Sequence, residues 1–161
     1  MMIEIRKITE ISYVESLSHI LIAAWRSGFR GILNESTIEK YTNFPDVNAM
    51  FSHILASGTG TMYLAQLDGN PAGLLYMVRN DVEAQVEALL TIPDVWGKGV
   101  AARLMTQALC DAEDADCSAI SVWPFAENHR ARRFYEKNGF LPTGQKRTGD
   151  ALELEYSRSL K

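Results

Sequence analysis

Two cysteines in 161 residues are too few to staple a fold, and their positions make no site. Cys110 and Cys117 lie seven apart, one on a helical run and the other just past its end, with no histidine or further cysteine pair nearby. The thiols read as reduced and structural, which suits a cytoplasmic protein. Histidine is also scarce. His19, His53 and His129 are scattered without ligand spacing, so no metal is expected. No apolar run approaches the ~20 residues of a membrane span, so no membrane contact is expected. The first residues carry Glu4, Arg6, Lys7 and Glu10 in a strand-like pattern, unlike a signal peptide. A basic excess is missing too. The net charge of −4 argues against nonspecific binding of nucleic acid. Repeats, linkers and low-complexity tracts are absent.

What remains is an ordinary globular composition, 47% hydrophobic and 22% charged. A chain of this length forms one domain, residues 1–161, and buries about two thirds of its surface. Ile3, Ile5 and Ile8 suggest a first strand. Ile11 to Trp25 is amphipathic at helical spacing, with Ser12 as a candidate cap, and Gly28 ends it. Asn34-Glu35-Ser36 restarts a short helix through Tyr41, and Asp46 to Leu55 reads as another that closes near Gly58. Thr61–Leu67 and Ala72–Val78 flank Asp68-Gly69-Asn70-Pro71, a hairpin signal. Strand Gln85–Ile92, helix Gly99–Glu113, strand Ala119–Val122 and helix Asn128–Asn138 follow. Two strands then flank Gly149-Asp150. Antiparallel strands followed by a βαβα stretch imply a mixed sheet in an α/β domain.

The corner at Thr91–Ala101 carries the most information. An apolar strand ends at Pro93, a Gly97-Lys98-Gly99 loop follows, and a strong helical run begins at once. Glycines here let backbone N–H groups point outward, and the new helix adds four unpaired N–H groups and its positive dipole end. Such a corner suits phosphate. Gly97-x-Gly99-x-x-Ala102 also matches the relaxed dinucleotide fingerprint, which would imply an oxidoreductase. Against that, more than half of the chain precedes the loop, and the next strand ends in Trp123-Pro124 with no acidic residue for a ribose. Too little chain follows for a second half-sheet. A Walker loop fails because no Gly-Lys is followed by Ser or Thr.

A second segment, Glu127 to Phe140, decides between these readings. Together the two segments resemble the Gcn5-related N-acetyltransferase (GNAT) family. Its phosphate loop is usually Arg/Gln-x-x-Gly-x-Gly/Ala, and Trp96-Gly97-Lys98-Gly99-Val100-Ala101 stands there in this chain. Its following block is commonly Asn-x-x-Ala-x-x-Phe-Tyr-Glu-x-x-Gly-Phe. Asn128, Ala131, Phe134, Tyr135, Glu136, Gly139 and Phe140 meet every position. The departure is Trp96 in place of Arg or Gln. Because that loop binds through backbone, the departure touches one side-chain contact and leaves the binding mode intact. The resemblance implies a single domain with a mixed, mostly antiparallel sheet flanked by helices. It implies acetyl-CoA as donor, an amine of a small molecule or peptide as acceptor, and allows the homodimers common in the family.

Residue by residue, the resemblance places the donor against Leu90, Thr91, Ile92 and the loop Trp96, Gly97, Lys98, Gly99, Val100, Ala101 and Ala102. On the next helix it adds Asn128, Ala131 and Phe134. Tyr135 is the candidate acid, since its pKa lies close enough to that of a thiol for proton donation to a leaving thiolate. Glu87, flanked by Val86 and Ala88, is the candidate base through a water; a solvent-facing strand residue fits equally. Backbone N–H groups near Leu90 and Thr91, at a bulge, would bind the oxyanion. Trp25 and Phe29, with Tyr41, would line the acceptor pocket, although helical spacing also makes them core. Residues 1–95 hold six Lys/Arg and eleven Asp/Glu, against eight and six in residues 96–149, so a cationic acceptor is expected on the acidic side. A non-catalytic acyl-CoA-binding module is the alternative. It would need neither Tyr135 nor Glu87.

Overall fold

The computed structural model describes residues 1–161. Five helices, α1 (Val14–Gly28), α2 (Glu35–Tyr41), α3 (Phe44–Ser57), α4 (Val100–Asp114) and α5 (His129–Lys137), flank one seven-stranded sheet. Its strands are β1 (Ile3–Ile8), β2 (Thr61–Leu67), β3 (Asn70–Arg79), β4 (Glu83–Thr91), β5 (Ala119–Val122), β6 (Leu141–Thr148) and β7 (Leu152–Ser159). The order is β1-β2-β3-β4-β5-β7-β6, and β4–β5 is the one parallel pair. The sheet is therefore mixed and mostly antiparallel.

Local chemistry explains most boundaries. Asp68 and Gly69 both take positive φ, 51° and 85°, which a two-residue hairpin turn of matching twist requires. The side chain of Asn34 caps α2 at Thr37 N–H, and that of Asn43 caps α3 at Asp46 N–H. The expected start of α3 at Asp46 is thus late by two residues, because Asn43 and Pro45 open it. Ser12 caps nothing. It lies in a short 3-10 turn, Ile11–Tyr13, that runs into α1 without a side-chain cap.

Strand alternation feeds two cores. Tyr63, Ala65, Leu75 and Met77 face α4, while Met62, Leu64 and Leu74 face α1 and α3. On β4 this alternation reverses. Ala84 and Val86 face the α4 side, yet Ala88 and Leu90 pack on the α1/α3 side, with Leu89 opposite. The cause is a bulge. Tyr76 pairs with Ala88 and Met77 with Val86, so Glu87 is an extra residue on β4. The bulge expected near Leu90 and Thr91 therefore lies three residues earlier. Leu90 and Thr91 are in ordinary register with Leu74 and Gly73.

One polar knot ties α4 to the sheet. The fully buried Tyr63 donates its hydroxyl to Asp111 Oδ2 at 2.5 Å. Lys7 Nζ reaches the same oxygen at 3.1 Å, and Gln107 donates to Oδ1 at 3.2 Å. Burial alone would raise the Asp111 pKa, but the bonds from Tyr63, Lys7 and Gln107 and the Lys7 charge together hold it below the usual carboxylate range. Tyr63→Phe is expected to cost about 1–2 kcal/mol at pH 7, read as a lower urea midpoint. Asp111 is ionised above about pH 4, so the cost should be complete there. As pH falls through its depressed pKa the two proteins should converge.

Candidate active site

The parallel pairing of β4 with β5 runs from Glu83–Ala119 to Val86–Val122 and stops there. From Glu87 onward the two strands diverge. The gap opens into a cavity of about 870 Å³ that reaches from α1 and α3 through the sheet to α4 and α5. Ile92 N–H bonds Ala72 O on β3. By alternation Leu90 also turns its backbone to β3, while Leu89 and Thr91 turn theirs into the gap. Thr91 C=O there accepts the Trp96 indole N–H at 3.4 Å. The gap thus offers the N–H groups of Leu89 and Thr91, not that of Leu90.

At the end of β4 a short 3-10 turn, Pro93–Val95, uses the N–H groups of Trp96 and Lys98, which bond Pro93 O and Val95 O. Gly97, Gly99, Val100, Ala101 and Ala102 are left with N–H groups that have no backbone acceptor. Gly97 and Gly99 sit at φ 79° and 87°, and nothing lies within 4 Å of where a Cβ would stand. Gly99 caps α4 without a side chain. The result is a bare cradle at the positive end of a fifteen-residue helix, which fits a diphosphate.

Helix α5 forms the opposite wall. Asn128 caps it, its Oδ1 accepting from Ala131 N–H at 3.2 Å, which leaves the side-chain NH₂ free toward the cavity. Arg132 bonds Tyr156 Oη and Ala126 O, and Tyr156 donates to Glu136 Oε2 at 2.8 Å. These bonds fix α5 on β7 and so fix Tyr135. Tyr135 is 8% exposed, between Phe134 and Phe140. No fully buried side-chain oxygen or nitrogen lacks a partner, and the Tyr135 hydroxyl has none within the protein, so it opens on the cavity. Burial pushes its pKa above the usual phenol value, and the Arg130 charge opposes that in part. The neutral phenol, a proton donor, is the form held.

The cavity gathers Glu87, Leu90, Thr91, Trp96, Gly97, Gly99, Val100, Ala101, Ala102, Asn128, Ala131, Phe134 and Tyr135 with Trp25 and Phe29. Ile92 and Lys98 do not line it. Tyr41 stands behind, its ring tilted at 54° to that of Trp25 with centroids 5.6 Å apart, and Phe29 meets Phe125 edge to face at 5.1 Å. Sequence reasoning missed Met50, Phe51 and Ile54 of α3, Tyr76 of β3, and Trp123 and Phe125 beyond β5. Their helical and strand spacing is that of any core. It also missed Arg130, whose guanidinium lies over the Trp96 ring at 3.8 Å. The charged residues of the wall are Glu87, Arg130, Lys137 and Glu153. Of the eleven acids in residues 1–95 only Glu87 lines the cavity; the other ten lie outside its wall.

The acetyltransferase (GNAT) family model covers residues 17–140. The chain belongs to the GNAT family. It is an acetyltransferase with acetyl-CoA as donor. An uncharacterised N-acetyltransferase of Mycobacterium tuberculosis is 33% identical over 126 residues, which cover 73% of this chain and 80% of that one. The PaiA N-acetyltransferase of Thermoplasma acidophilum, solved with coenzyme A, superposes with a TM-score of 0.83 at 20% identity over 99% of each chain. A Gcn5-related N-acetyltransferase of Rhodopseudomonas palustris gives 0.81 at 18% identity over 97% and 94%. At such identities these two likenesses show the fold.

Gly99→Ala and Gly99→Glu separate strain from blockage in this GNAT protein. Both place a Cβ at positive φ, a strain of about 1 kcal/mol. The glutamate also puts bulk and negative charge in the cradle. Calorimetry is expected to show acetyl-CoA affinity lowered a few-fold by alanine and abolished by glutamate, with circular dichroism unchanged. Undiminished affinity in Gly99→Glu would remove the donor from this loop.

Proposed function

We propose that the protein transfers acetyl from acetyl-CoA to a primary amine of a small molecule or peptide by direct attack, with Tyr135 as general acid and Glu87 as base. The observation that carries this is the Tyr135 hydroxyl, unpartnered and open to the cavity that Glu87 and the bare cradle also line. The donor supplies an activated acyl carbon on a thioester. The amides of Gly97, Gly99 and Val100–Ala102 hold its diphosphate, and the N–H groups of Leu89 and Thr91 face its arm. Asn128 offers its side-chain NH₂ to the same arm, and Ala131 and Phe134 pack beside it.

The acceptor enters between Trp25, Phe29 and the bulge. Its ammonium gives a proton, through a water, to Glu87, and the freed nitrogen pair forms the C–N bond. As the C–S bond breaks, the thiolate takes the Tyr135 proton, the nitrogen gives up its second proton to water to leave the amide, Glu87 releases its proton to solvent, and the phenol regains one from there. Burial makes the phenol a weaker acid, but the thiolate loses hydration in the same apolar cavity, so the two pKa values rise together. The Arg130 charge nearby eases the transient phenolate. A module that only binds acyl-CoA would have no use for this arrangement.

Thiol release from acetyl-CoA against a panel of amines tests the reading. Tyr135→Phe is expected to lower kcat by about one to three decades with unchanged acetyl-CoA affinity. Wild-type kcat in that variant would pass the proton to solvent or another group. Because the Tyr135 pKa is raised, its acid form persists on the alkaline side. The wild-type rate should climb to a plateau with pH and show no alkaline fall below about pH 10.

A further inference from the structure

Three of the four arginines on α5 and β7 are placed differently. Arg132 spends its guanidinium on Tyr156 and Ala126 O, and Arg158 donates to Asn138 O. Arg130 makes no ion pair and no hydrogen bond. Its guanidinium lies over the Trp96 ring, 3.8 Å from the centroid, with its Nη2 beside Gly28 at the end of α1, 3.5 Å from where a Cβ would stand. The residue as a whole is exposed, but this stacking strips enough water from the guanidinium to lower its pKa, and it remains charged at neutral pH. A guanidinium stacked on an aromatic ring keeps its in-plane N–H donors free. The other charged groups of the wall, Glu87, Lys137 and Glu153, form no pair with it. Trp96 is the residue that opens the cradle loop. The five free amides of that loop and these free donors thus belong to adjoining parts of one cavity.

Resting on the reading that the gap holds acetyl-CoA, we infer that Arg130 is a second anchor for the donor's diphosphate, held ready on Trp96 and supplied across the cavity from α5. The ring orients the fork without competing for its donors. A carboxylate on the acceptor is the other anion that could meet the same group, since Gly28 belongs to the acceptor side.

Calorimetry with CoA and with dephospho-CoA, on the wild type, Arg130→Gln and Arg130→Lys, distinguishes these sources. Arg130→Gln is expected to weaken both ligands about tenfold, with lysine recovering part of the loss. The deficit should shrink toward threefold in about 1 M salt, where exposed charges are screened. Thermal melts should differ by a few degrees at most, because Arg130 loses only its contact with Trp96. A deficit confined to CoA would assign Arg130 to the 3′-phosphate and overturn the diphosphate role. A deficit independent of salt would make it structural. Unchanged CoA affinity with a raised KM for an acidic acceptor would place the anion on the acceptor. Failure of the wild type to bind CoA would overturn the reading of the gap itself, before any variant is compared.

Discussion

A strand inside a sheet has two hydrogen-bonding edges, and β4 satisfies both only as far as Val86. Beyond that point its β3 edge stays paired while its other edge loses β5. The extra residue at Glu87 marks the transition, since a bulge bends the strand and increases its twist. Unpaired backbone in an apolar interior costs free energy, so an edge left open in mid-sheet calls for a ligand or water to complete it. The cavity, the exposure of Glu87 and the reversal of side-chain faces on β4 all follow from this one break. Gly73 lets the remaining pairing stay tight. A Cβ there would stand 3.0 Å from Leu90 O and 3.2 Å from Leu104, so its absence lets α4 sit close on the sheet.

The helix that follows β5 shows how a family motif divides between architecture and chemistry. Phe140 is fully buried, and Gly139 turns at φ 85° to leave the helix. Glu136 accepts from Tyr156. These residues hold α5 in place. Asn128 does both, since its oxygen caps the helix while its nitrogen faces the cavity. Tyr135 and Arg130 bring a proton and a charge to the site from this helix without using them in the fold, and they stand close enough for the charge to act on the phenol.

The order of elements was legible because it rests on local chemistry. Asp68-Gly69 specifies its turn by backbone conformation alone, and Gly97 and Gly99 announce a corner where N–H groups are exposed. The misses have local competitors or distant partners. Ser12 looked like a cap, but the chain enters α1 through a 3-10 turn. The family resemblance implies a bulge near Leu90 and Thr91, but nothing in the run Val86–Ile92 marks which residue is extra; that is set by pairing with β3. Thr91 kept its place at the gap, whereas Leu90 lost its N–H to β3. Trp96 was visible as a departure from the usual loop, yet its arginine lies thirty-four residues on, a contact that no periodicity encodes. The acidic N-terminal balance was real but belonged to surface outside the cavity.

The central claim is that the β4–β5 gap and the Gly97–Ala102 corner hold acetyl-CoA. Amide hydrogen exchange by NMR, with and without acetyl-CoA, tests it residue by residue. Slowed exchange is expected at Gly97, Gly99, Val100, Ala101 and Ala102 and at the gap-facing amides of Leu89 and Thr91, with Trp96 and Lys98, already bonded within the turn, little changed. Saturating acetyl-CoA that leaves these amides exchanging as before, while protecting others, would contradict the account.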